Sequence, residues 1–394
     1  MNQTSLNRSF TTWSLLGFAA PSIIMMVFMS LYTIVDGIFI SRFVGSNALS
    51  SLNIVYPMIN VVIAIATMFA TGGNAIVSRY LGQGQEKQAR EALTEFVVIG
   101  VLISTVFAVL VILFEDPICR FLGANDELMA DCKAYLTISM LFAPACTLQT
   151  LFQSYFVTAS RPGLGLWLTV AAGILNAVLD YVLIVPIPLG IAGAALATGF
   201  GQLLPAVVGL IFFAIPRKTL RFCRFSFRLR ELRDACINGS SEMIGQMATA
   251  ITTFLFNIIL MRLAGSDGVA AMTILFYGQF LFNAFYLGFA IGIAPVVGYQ
   301  YGAGNRKELR KIYRISFLFT VISSIAMTVA SIVLATPIVS VFTKEPETFA
   351  LADAGFKIFA VNFLFSGVNL VSSGFFTALS NGKASAWISF ARTL

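Results

Sequence analysis

Apolar runs of about 20 residues recur along the chain with short polar breaks between them. That is the length an α-helix needs to cross a roughly 30 Å hydrocarbon core. The runs predict spans over 13–41, 51–78, 93–114, 134–160, 164–186 and 190–214. After a basic stretch they continue over 235–262, 268–299, 313–336 and 350–380, and a last one opens near 384. Alternation of period two is absent, which argues against an outer-membrane barrel. The expected class is an all-α membrane protein. The first span follows a dozen polar residues, is long and carries Asp36, unlike the short apolar core of a cleaved signal peptide. Pro21, Pro57, Pro144, Pro205 and Pro295 fall within spans, where they are expected to interrupt the helices.

Shifted by 220 positions, the sequence lies on itself without a gap from about residue 21 to 174. Arg42-x-x-Gly45-Ser46 falls on Arg262-x-x-Gly265-Ser266, and Gly72 on Gly292. Gly82-x-Gly84-x-x-Lys87-x-x-Arg90 falls on Gly302-x-Gly304-x-x-Lys307-x-x-Arg310. Pro117, Ser160 and Trp167 fall on Pro337, Ser380 and Trp387. Six spans per unit is an even number, so both copies share one orientation, and parallel repeats of this kind are related by an axis along the membrane normal. The predicted organisation is an N-terminal lobe over 1–216, a basic linker over 217–234 and a C-terminal lobe over 235–394. Residue 394 corresponds to residue 174, in the fifth span of the first copy, so the second repeat is expected to be truncated after the start of span 11.

Composition agrees with this reading. The 394 residues are 58% hydrophobic and only 11% charged, too few charges to build a water-facing surface at this length. The charges are also unevenly placed. Loops on the side of the N-terminus carry 18 Lys and Arg, among them Arg79, Lys87, Arg217, Lys218, Arg228, Arg306 and Lys311. Those on the other side carry six: Arg42, Arg120, Lys133, Arg262, Lys344 and Lys357. The positive-inside rule then puts the N-terminus and the linker in the cytoplasm of a bacterial inner (plasma) membrane. The net charge of +7 reads as a topology signal and not as a nucleic-acid footprint. The five cysteines show no C-x-x-C spacing and read as small apolar side chains.

There is no histidine, so Ser-His-Asp and Cys-His arrangements, HExxH zinc sites and imidazole relays are all excluded. No G-x-S-x-G elbow or Walker-type loop occurs, and the Gly-x-Gly pairs at 82–84 and 302–304 read as chain turns. An enzyme or an ATP-driven pump lacks its machinery here. What remains is three acids inside apolar spans: Asp36, Asp180 and Glu242. Carboxylates at such depth cost about 2.5–3.5 kcal/mol and usually face an interior cavity. Asp36 lies six residues before Arg42, and Asp180 six before Pro186, so both sit roughly 9 Å inside the outer boundary. Asn176 is one turn below Asp180 on the same face, and Thr198 brings a hydroxyl to a similar level. Two carboxylates among amide and hydroxyl oxygens either share a proton or hold a cation such as sodium, and the oxygen set serves both. The competing reading has Asp36 facing the outer interface and Asp180 bonding a neighbouring helix. Glu242 is either interfacial or part of the second lobe's cavity. Met25, Met26, Met29, Phe28 and Tyr32 line span 1, either as helix packing or as an adaptable surface for apolar ligands.

Val35-Asp36-Gly37-Ile38-Phe39-Ile40 with Gly45, Asn176-Ala-Val-Leu-Asp180 and Gly193-Ala-Ala-Leu-Ala-Thr198, together with the duplication, resemble the multidrug and toxic compound extrusion (MATE) transporters, in particular their bacterial Mep-type branch. The resemblance spans nearly the whole chain. It implies a twelve-span, V-shaped, monomeric exporter with no cofactor. Such an exporter exchanges cationic amphipathic drugs or dyes for protons or sodium by rocking its lobes in the lipid bilayer. It also implies a cation-coupling site of Asp36, Asn176, Asp180 and Thr198, with Gln153 where the family often has another polar residue. Glu242 resembles the family's acidic residue in the seventh span; taken with the residue readings above, Asp36 and Asp180 are the expected ligands of a sodium ion, and Glu242, Met29 and Tyr32 are expected to face substrate. A flippase for lipid-linked oligosaccharide has a similar build, but would favour a basic cavity where this chain has acids. A membrane receptor is the alternative from another class; buried carboxylates and a six-span duplication are not what a receptor needs.

Overall fold

In the computed structural model, residues 5–216, 220–225, 227–343 and 345–393 are described. Arg217, Lys218 and Lys344, counted above for topology, lie outside them. The N-terminal lobe begins with a single 3-10 turn, Ser5–Asn7, followed by α1 (Thr12–Phe43), α2 (Ser46–Gly82) and α3 (Glu86–Leu113). It continues with α4 (Glu115–Phe121), α5 (Met129–Leu141), α6 (Ala143–Thr158), α7 (Pro162–Ile184) and α8 (Gly190–Ala214). The C-terminal lobe contains α9 (Leu229–Gly302), α10 (Arg306–Val333), α11 (Ala335–Phe342), α12 (Pro346–Ala378) and α13 (Gly382–Thr393). Helices are the only regular structure among the described residues, and eight of them hold a segment long and apolar enough to cross a membrane. A ninth span is formed if α5 and α6, bent by 51° at Phe142, are taken together.

That bend lies inside the 134–160 run, with Pro144 in the first turn of α6, where its missing N–H costs nothing. The other four prolines do not break their helices: Pro21, Pro57, Pro205 and Pro295 sit within α1, α2, α8 and α9. Neighbouring helices and local adjustment absorb the lost hydrogen bond in an apolar surround. The long α9 carries two predicted spans and departs from helical geometry at Gly265, with φ +61° and ψ −151°. Gly45, its partner at the 220-residue shift, also has positive φ, between α1 and α2. The same pairing holds for Gly84 and Gly304 and for the two non-glycine exceptions, Ser160 and Ser380. The duplication is therefore written in the backbone as well as in the side chains.

Helices α3 and α10 show how each lobe meets lipid. Leu318, Ile322, Ile325, Val329 and Val333 stand exposed along one stripe of α10, while Ser316, Thr320, Ser324 and Ser331 are buried. On α3, Val98, Leu102, Val106, Val109 and Leu113 form the corresponding exposed stripe. Such inverted amphipathicity suits a helix whose solvent is hydrocarbon and whose polar groups must find protein partners.

The lobes touch along one end, where α2 packs on α9 and α1 on the second half of α9. Glycines make the contact close. A Cβ on Gly82 would collide with the carbonyl oxygen of Tyr299, and one on Gly302 with that of Arg79. Gly72 lies against the backbone of Ala235, Gly239 against that of Met68, and Gly292 against Ala19. Met25 and Met26 are buried in this seam with Ala284, Leu287 and Ile291, so these two methionines serve packing between lobes.

Candidate functional site

Asp36, toward the C-terminal end of α1, and Asp180, toward that of α7, have their carboxyl groups within hydrogen-bonding contact of each other. Asp180 is 2% exposed and Asp36 half-buried. The Oδ1 atom of each is buried without a hydrogen-bond partner among the described residues. No lysine or arginine there acts on the pair. Two ionised carboxylates in contact repel, so the pair stands only with a proton or a cation between the two groups. The unpartnered oxygens are the atoms such a guest would use.

One turn below, the Asn176 amide donates to Thr198 Oγ1 at 3.4 Å, joining α7 to α8. Gly201 allows that approach: a Cβ there would press on the Ala172 carbonyl and on Asn176. Four of the residues singled out from sequence are thus drawn together from three helices: Asp36, Asn176, Asp180 and Thr198. Gln153 on α6 is placed differently. Its amide donates to Thr169 Oγ1 at 3.3 Å and approaches Met29 Sδ at 3.7 Å. Thr169 precedes Asn176 by two turns, so Gln153 belongs to a lower layer of the same lobe, beside Met29. Tyr32 is half-buried, rests near Phe28 with ring centroids 6.2 Å apart, and lies within electrostatic reach of Asp36.

Glu242 is not drawn into this group. It sits in α9 one helical turn past Gly239, just beyond the point where the lobes meet, and is half-buried. Next to it in sequence, Ser241 joins a buried knot of hydroxyls with Ser373, Thr377, Ser385 and Ser389, at 2.8–3.4 Å. Ser373 and Ser389 occupy, at the 220-residue shift, the places of Gln153 and Thr169, so the two lobes keep a polar tie between the same helices. The acidic pair is not duplicated: Phe256 stands at the position matching Asp36.

Sequence reasoning missed three side chains around the pair. Tyr135 on α5 lies within reach of both Asp36 and Asp180, and Tyr56 on α2 and Cys146 on α6 are close by. For the two tyrosines the signal was a polar aromatic inside an otherwise apolar span, which is common and unspecific, and Cys146 gave none.

A polytopic helical bundle in two parallel repeats, with a secluded carboxyl pair in one of them, is the build of a membrane transporter. The sequence pattern of the MatE family matches residues 21–182 and 243–394, one stretch in each repeat, and the chain belongs to that family, whose members are transporters and not enzymes. Among curated proteins it is similar to the multidrug export protein MepA of Staphylococcus haemolyticus (strain JCSC1435), 22% identical over 381 residues, covering 96% of this chain and 84% of that one. Among solved structures, a MATE protein in complex with MaL6 superposes with a TM-score of 0.93 at 20% identity, covering 100% of this chain and 89% of the other. The outward-facing conformation of a multidrug resistance MATE family transporter of the MOP superfamily gives the same values. These likenesses fix the fold as MATE-like.

Proposed function

We propose that the chain is a secondary active multidrug exporter that moves cationic amphipathic compounds outward in exchange for protons or sodium. The observation that carries this reading is the Asp36–Asp180 contact, with its buried, unpartnered oxygens. A pair that cannot stay doubly ionised binds an incoming ion and releases it when a cationic substrate or a change of access intervenes. Asn176 and Thr198 supply neutral oxygens beside it, and a sodium ion would take Asp36 and Asp180 as its charged ligands. Met29 and Tyr32 are assigned to substrate, and Gln153, bonded to Thr169 beside Met29, is moved from the coupling set to the same role. Glu242, just beyond the point where the lobes meet, is assigned to attracting the positive charge of the cargo.

The unequal distribution of Lys and Arg supports a cytoplasmic N-terminus, with the lobes divided at residues 216 and 235 and the seam at the cytoplasmic end. The test is efflux of a fluorescent cation such as ethidium from vesicles carrying the chain. A pH gradient and a sodium gradient are imposed separately, on the wild type and on Asp36→Asn. Efflux driven by one gradient and lost in the variant is the expected result. Wild-type efflux in Asp36→Asn sinks the assignment.

A further inference from the structure

Two short segments leading into the first spans of the lobes are docked, each across the seam, on the opposite lobe. Residues 5–11 precede α1, yet Leu6 and Phe10 are fully buried in a cluster made largely by the C-terminal lobe, including Tyr286, Phe289, Ile312 and Phe375. The Phe10 backbone N–H donates to Glu308 Oε1 of α10 at 2.6 Å, and Ser9 Oγ to Oε2 at 3.2 Å. Gln300 holds the Leu6 carbonyl at 3.0 Å, and Lys311 Nζ donates to Ser9 Oγ at 3.3 Å. Residues 220–225, 227 and 228 lead into α9, yet Cys223 and Arg228 among them are tied to α3 of the N-terminal lobe. There the Arg228 backbone N–H donates to Glu95 Oε1 at 2.9 Å, its guanidinium to Glu91 Oε2 at 2.6 Å, and the Cys223 N–H to Thr94 Oγ1 at 3.1 Å. Glu95 is 1% exposed and Glu308 8%.

We infer that these segments are a reciprocal pair of latches that hold the seam shut, and that their release from Glu308 and Glu95 accompanies separation of the lobes at that end. The geometry is the same on both sides: a lead-in segment, a main-chain amide and a buried glutamate on the third span of the other lobe, α3 or α10. The residues are not matched by the duplication, however. At the 220-residue shift Glu95 falls on Ile315 and Glu308 on Gln88, so the two clasps arose at different positions of a shared architecture. Only proline would remove the main-chain N–H, and at Phe10 or Arg228 it would also delete a side chain that packs or pairs there, so the glutamates are the halves to replace. Hydrogen bonds to a charged acceptor are among the stronger kind, and breaking both clasps removes a substantial share of what holds the closed state.

This inference rests on the transporter reading for the idea that the lobes separate, but its test is independent of export. The full chain, with its five cysteines replaced, carries spin labels at Gln83→Cys and Ala303→Cys, two exposed positions flanking the glycine contacts of the seam. Inter-label distances are recorded in lipid nanodiscs. The double variant Glu95→Ala/Glu308→Ala is expected to raise the ratio of long to short distances about tenfold or more, the weight of one such charged hydrogen bond. Glu95→Gln/Glu308→Gln, which keeps an acceptor, is expected to fall between it and the parent. Should the alanine variant fail to fold, the glutamine pair and each single variant decide. An unchanged distance distribution in correctly folded variants overturns the latch. Separated lobes without ethidium efflux by the parent chain would leave the latch standing and sink the export reading.

Discussion

Asp36 and Asp180 share one hydrogen-bonding contact although they come from the first and seventh helices of the lobe, and neither has a basic neighbour among the described residues. Whenever the proton or cation between them leaves, the two carboxylates repel and the surrounding fold must hold them together. Replacing one acid by its neutral isostere relieves that repulsion while removing the ion's counter-charge. Asp180→Asn is therefore predicted to melt at the same temperature as the parent or slightly above it, yet to lose gradient-driven efflux by about a hundredfold, the weight of removing one partner of a buried charged site. Thermal denaturation in detergent beside vesicle efflux checks both halves. A clear loss of stability would point to a structural role.

Gln153 separates from that pair into a lower layer with Thr169 and Met29. Gln153→Leu is predicted to weaken dye binding several-fold while leaving the number of ions exchanged per dye unchanged. Fluorescence titration together with the efflux ratio under two gradients decides it; a changed ion ratio would return Gln153 to the coupling site.

The glycine seam predicts its own intolerance. Gly82→Val or Gly302→Val places atoms where the facing carbonyl stands, an overpacking that costs about 1–3 kcal/mol in the closed arrangement. Both variants are expected to favour lobe separation by the same spin-label measurement. A closed seam in both would mean that the helices shift to make room.

In the C-terminal lobe, Ser385 Oγ touches Ser241, Ser373 and Thr377 at 2.8 Å each. Ser385→Ala leaves those hydroxyls short of a partner, and is predicted to lower stability by about 1–2 kcal/mol. Denaturant titration measures it, with exposed Ser340→Ala as the neutral reference.

Ser160 and Ser380 both take left-handed backbone, with φ of 61° and 58°, at the turns after α6 and α12. Glycine is at ease there, so Ser160→Gly and Ser380→Gly are each predicted to stabilise by up to about 1 kcal/mol. Equal gains at the two sites are the expected outcome of the duplicated turn.

Much of this was legible before any coordinates. Apolar run length gave the spans, and the 220-residue shift gave the two lobes. Equal depth below the outer boundary brought Asp36 and Asp180 to one level. Depth says nothing of azimuth, so the layer of Gln153 could not be told from that of Asn176. Proline was over-read, because in hydrocarbon a helix closes around it. The hydroxyl knot draws on serines and a threonine from α9, α12 and α13, none of which stands out in the sequence. The docked segments before α1 and α9 were not legible, since short stretches of mixed polarity carry no periodicity.

Leu6 and Phe10 lie ahead of the first spanning helix, at an end of the molecule where water and not lipid is the competing medium. Inside the bilayer, acyl chains are as apolar as leucine and offer no drive toward helix contact. Burial of these two side chains instead draws on expulsion of water, a force that weakens on cooling. One face of the molecule thus loosens in the cold while the helices behind it keep their hold, and its opening acquires a temperature dependence opposite to that of ordinary melting.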